Sequence, residues 1–128
     1  MKNYLITVIV LLSFNAFAFT GGGTTQPPLE KWHEADYVDH YCKGEVEHVL
    51  SDRTRVDCLT ENHAIEYDWG KKWAEAIGQS LYYSAMTGKK AGIVLIVNPR
   101  TKERYLKRLN KAIESHNLNV DVWVIEKH

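Results

Sequence analysis

Ala91 to Val97 (AGIVLIV) runs seven residues without one polar side chain. It is rich in β-branched residues and too short for a helix of ordinary length, so it reads as a strand covered on both faces. Asn98-Pro99 closes it. A strand of that kind demands a layer on each side, which points to an α/β fold with a central sheet. Thr101 can cap a helix running to about His116, with Tyr105, Leu109 and Ile113 as its buried stripe. A last strand follows over 119–125, in which Val120, Val122 and Val124 alternate with Asp121 and Trp123. A helix between two such strands implies a right-handed parallel crossover.

Upstream, the period changes. Leu29 to Tyr41 reads as a helix with Leu29, Trp32, Ala35 (or Asp36) and Val38 on one stripe, ended by Gly44. Strands follow at 45–50, 55–59 and 63–68, separated by turn residues at Ser51–Thr54 and by a tight turn at Glu61-Asn62. A second helix spans Trp69 to Met86, with Gly88 at its C′ position. Trp73, Ile77, Leu81 and Ser84 mark its expected core face; Lys71 or Lys72, Glu75, Gln79 and then Tyr82 or Tyr83 mark the other. The expected order is αβββαβαβ, a mixed central sheet flanked by helices.

Residues 1–18 have the pattern of a secretory signal peptide: Lys2, an apolar run from Tyr4 to Phe14, and the small-x-small triplet Ala16-Phe17-Ala18. The run falls short of the roughly 20 residues a spanning helix needs. Residues 19–28 (with GGGTTQPP at 21–28) make a flexible linker, leaving one domain at 29–128. Export to the periplasm or beyond, with no membrane attachment once the leader is cut, makes Cys42 and Cys58 a natural disulfide pair. The 16 basic and 16 acidic residues of the chain balance. Losing Lys2 with the leader leaves 15 against 16, a net charge of −1, which selects neither for nor against a polyanionic partner.

The chemistry concentrates in Arg55 to Tyr83 (RVDCLTENHAIEYDWGKKWAEAIGQSLYY). The strand period of two places Glu66 and Asp68 on one face of 63–68, with Ile65 and Tyr67 on the other. Asp57 lies on the preceding strand. Three acids on one sheet face repel one another unless a cation sits among them; solvated acids on an exposed face are the alternative.

This arrangement resembles the PD-(D/E)xK nuclease superfamily, the restriction-endonuclease-like fold, over about residues 29–125. Asp57 in RVD stands where the family's first metal carboxylate stands, and Glu66 takes the acidic position of its third-strand motif. Gln79 and Tyr83 spell the QxxxY helix signature of the RecB-like branch. Glu34 and Glu47 are both candidates for the further acid that some branches carry. The family's lysine belongs two residues past Glu66, where this chain has Asp68; in some branches it moves to the following helix, which would make it Lys71 or Lys72.

The resemblance implies Mg²⁺ (or Mn²⁺) held by Asp57 and Glu66, with Asp68, Lys72, Gln79 and Tyr83 completing a catalytic set for hydrolysis of DNA phosphodiesters. The displaced lysine leaves a second reading, a catalytically inactive module that binds nucleic acid or a protein partner. Arg100, Lys102, Arg104, Lys107, Arg108 and Lys111, only some on one stripe, could follow a phosphate backbone or form a solvated face. The six histidines show no ligand spacing.

Overall fold

The computed structural model describes residues 31–127; the expected leader, linker and Leu29 lie outside the described residues. The elements are helix α1 (Glu34–Tyr41), strands β1 (Glu45–Val49), β2 (Arg55–Leu59) and β3 (His63–Trp69), a 3₁₀ turn (Gly70–Lys72), helix α2 (Trp73–Thr87), strand β4 (Lys90–Val97), helix α3 (Lys102–Ser115) and strand β5 (Val120–Glu126). The strands form one sheet in the order β1-β2-β3-β4-β5. β1, β2 and β3 pair antiparallel, whereas β3, β4 and β5 pair parallel. The aliphatic run 91–97 is therefore an internal strand with a parallel neighbour on either side, as its composition predicts.

Its two faces feed two cores. Val94 and Ile96 pack with Ile65, Tyr67 and Cys58 under Trp32, Tyr37 and Val38 of the α1 segment. On the opposite face Ile93, Leu95 and Val97 pack with Ala76 of α2 and Leu109 of α3. A disulfide joins Cys42 to Cys58 with Cα atoms 5.7 Å apart, tying the end of α1 to the strand that carries Asp57.

Local structure departs from the sequence reading at several points. Helix α1 begins at Glu34: His33 is extended (φ −83°, ψ 169°) and its N–H donates to the Asp36 carboxylate at 2.7 Å, half of a capping box. Gly44 lies beyond the helix, which is closed by the Cys42 N–H donating to Val38 O. Glycine is needed there for room, since a Cβ would stand 2.1 Å from the Leu59 carbonyl oxygen. Trp69 finishes β3 instead of opening α2. In α2 the deepest residues are Ala76, Ser80 and Tyr83, with Trp73 and Ile77 packed at the margin. Small side chains let that helix approach the sheet, and the Ser80 hydroxyl donates to Ile77 O within the helix. Before α3 the Asn98 backbone carbonyl accepts the Thr101 and Lys102 N–H groups, and the Asn98 Oδ1 accepts the Arg100 N–H at 2.9 Å within the turn. Thr101 makes no side-chain cap. Gly88 ends α2 in the left-handed conformation (φ 71°), donating to Ser84 O, as expected of a C-terminal glycine.

Candidate metal centre and carboxylate cluster

The candidate site begins with a flaw in the sheet. The β2–β3 ladder holds Cys58 opposite Ile65 and Leu59 opposite Ala64. At the next step the Tyr67 N–H donates to the Asp57 carboxylate, at 2.8 Å. On the other flank of β2, Glu47 lies level with Asp57 between the pairs Val46–Cys58 and His48–Val56, and its backbone is left-handed (φ 55°). Asp57 thus sits where β2 departs from regular pairing on both sides, and its side chain takes the place of a backbone acceptor.

Glu66 and Asp68 follow on the same face, only 5% and 2% exposed. Depth costs a carboxylate its charge. Burial, followed by the charges of Asp57 and Asp68, pushes Glu66 up to about 9. Burial raises Asp57 to about 6, against the pull of the Tyr67 N–H, with Glu47 and Asp68 adding repulsion. Burial and the Glu34 charge raise Asp68 to about 7, which Lys72 partly opposes. The acids act on one another in two neighbouring couples, Asp57 raising Glu66 and Glu34 raising Asp68. One oxygen of Glu66, Oε2, is buried without a hydrogen-bond partner.

Each expected residue can now be placed. Asp57, Glu66 and Asp68 gather as the strand period predicts. Lys72 brings its Nζ to 3.7 Å from Asp68 Oδ1, while Lys71 lines a separate hollow with Tyr105 and Lys127. The ammonium therefore stands at the Asp68 end of the cluster. Tyr83 is buried and feels the Glu66 charge. Gln79 is exposed and its amide meets the Tyr83 hydroxyl, drawing that group down against the effect of burial.

Of the two further acids, Glu34 joins through its charge, which raises Asp68 and Glu66. Glu47 acts on Asp57 only through its charge and is paired with Arg55 at 3.1 Å. His63 is not at the site; it bonds Asp121 at 2.7 Å on the other half of the sheet, beside Lys90.

The donor set is all oxygen and suits a hard divalent cation such as Mg²⁺, which needs only one or two carboxylates and retains water. The unpartnered Glu66 Oε2 is a buried oxygen that a cation could satisfy. Among the described residues no three acidic, histidine or cysteine side chains converge in ligand geometry. No helix among the described residues is long and apolar enough to cross a membrane. No family model, curated protein or solved structure matches the chain.

Proposed function

We propose that the protein is an exported, divalent-metal-dependent nuclease of the restriction-endonuclease-like fold that hydrolyses DNA phosphodiesters. The observation that carries the reading is the pairing of a buried Glu66 with a half-buried Asp57. One Glu66 oxygen has no hydrogen-bond partner, and the Asp57 carboxyl is fixed by a backbone N–H. The element order αβββαβαβ and the sheet order support the fold assignment, and the Cys42–Cys58 bridge is compatible with an oxidising compartment.

Asp57 and Glu66 would hold Mg²⁺ or Mn²⁺ in exchange for the proton that burial keeps on Glu66. When bound, such a cation lowers the pKa of a coordinated water and withdraws charge from phosphate oxygens. Lys72 supplies a positive charge at the Asp68 end, where it can offset the charge that grows on the phosphate as the water–phosphorus bond forms and the ester bond breaks. Glu34 and Asp68 hold that ammonium in place, and Tyr83, contacted by Gln79, walls the Glu66 side. Placing the lysine on the turn after β3 leaves Asp68 free to serve as its anchor.

The test is incubation of plasmid and single-stranded DNA with the protein in Mg²⁺, Mn²⁺ or EDTA. Cleavage should require metal. Asp57→Ala and Glu66→Ala should each reduce it by about 10²-fold or more, and Lys72→Ala by a comparable factor. Intact DNA with both metals sinks the enzyme reading and leaves the binding module in its place.

A further inference from the structure

The cations of α3 are sorted by the tertiary structure. Lys102 is paired with Glu126 at 2.7 Å. Arg104, Arg108 and Lys111 recur at helical spacing along one stripe, and no carboxylate among the described residues pairs with them. With Lys107 they line an open groove of ≈ 930 Å³. Its wall is Trp73, the first residue of α2, which directly follows Lys72. Helix α3 is locked to the turn that carries Lys72, for a Cβ on Gly70 would stand 2.8 Å from the Tyr105 ring. A groove bordered by cations, with an indole in its wall, therefore lies on the helix that packs against the turn carrying Lys72. Among the described residues Glu114 is the one acid lining the groove.

We infer that this groove is the track for a single strand of nucleic acid, with phosphates on Arg104, Arg108 and Lys111 and a base against Trp73. The inference rests on the phosphodiester reading of the carboxylate site and names the strandedness of its substrate. The charge is complementary to a phosphate backbone, and an aromatic side chain beside a line of cations is how unpaired bases are held without sequence preference. A duplex offers the same phosphates but keeps its base faces stacked away, so it gains nothing from Trp73.

Fluorescence anisotropy of a labelled oligothymidylate, titrated with the full chain in EDTA so that nothing is cut, tests this directly. Oligouridylate, a duplex of equal length and polyaspartate are the comparison arms. The single strands should bind more tightly than the duplex, with polyaspartate clearly weaker. The triple variant Arg104→Glu/Arg108→Glu/Lys111→Glu should lose at least tenfold in affinity. Its log-affinity against log-salt slope should be shallower by about 2, at roughly 0.7 per phosphate contact. Trp73→Phe keeps an aromatic ring in the core and should bind nearly as the parent. Trp73→Leu should lose about fivefold on single strands and little on duplex. Variants are compared at matched thermal midpoint and circular dichroism, so loss of fold is separated from loss of contact. A folded triple variant that binds like the parent overturns the inference, as does preference for duplex or equal binding of polyaspartate. Because no metal is present, binding with inactive wild-type protein would sink the nuclease reading alone. Cleavage that survives in the triple variant would sink the groove alone.

Discussion

Glu66 is the side chain on which the cluster turns. Its carboxyl is held at about 9 against an ordinary 4.5, first by burial and then by the charges of Asp57 and Asp68. An acid raised by folding stabilises the protein when protonated, so its contribution is full below about pH 4.5 and is lost as pH rises towards 9. Metal-free protein should therefore show a lower urea midpoint at pH 8 than at pH 5. The slope should be at most roughly 1.4 kcal/mol per pH unit for one proton. Glu66→Gln should flatten that dependence and raise stability at pH 8, whereas saturating Mg²⁺ should restore the parent at pH 8 and leave the glutamine variant unmoved. A parent midpoint that climbs towards pH 8 would contradict the assigned burial.

Strand β2 is shaped at the scale of the element. Its ladder is interrupted on both flanks of Asp57, by the left-handed Glu47 on one and by the Tyr67 N–H on the other. Glycine adopts positive φ without steric cost, so Glu47→Gly should be tolerated or stabilise by up to about 1 kcal/mol. The exposed Arg55 pair it removes contributes little. Gly44 tolerates nothing larger, because the obstacle is the Leu59 backbone itself. Gly44→Ala should destabilise as overpacking does, by about 1–3 kcal/mol, and calorimetry of both variants checks the pair. Gly70→Ala meets the flexible edge of Tyr105 and the Val97 side chain instead. It should disturb cleavage and groove binding together, since one turn carries Lys72 and seats α3.

Over the whole molecule the disulfide joins α1, which brings Glu34, to β2, which brings Asp57. Cross-linking residues 16 apart in sequence contributes about 3 kcal/mol in the chain-entropy model. Reduction, or Cys42→Ser with Cys58→Ser, should destabilise by about that amount in a denaturant titration. Because only Glu34 is carried by α1, metal affinity should fall less than stability does.

The sequence by itself determined the element order, the internal position of 91–97, the shared face of Asp57, Glu66 and Asp68, and the cysteine pair. These follow from strand period, apolar run length and residue pairing, all written in neighbouring positions. Only the tertiary structure decided that Glu34 and not Glu47 completes the cluster and that Lys72 and not Lys71 faces it. It also decided that Ala76, Ser80 and Tyr83 form the buried face of α2, and that Arg104, Arg108 and Lys111 border Trp73. Each of those choices depends on how closely one element approaches another, and that distance is set by groups on other elements: the Tyr105 ring against Gly70, the Leu59 backbone carbonyl against Gly44, and the Asp57 carboxylate on the Tyr67 N–H.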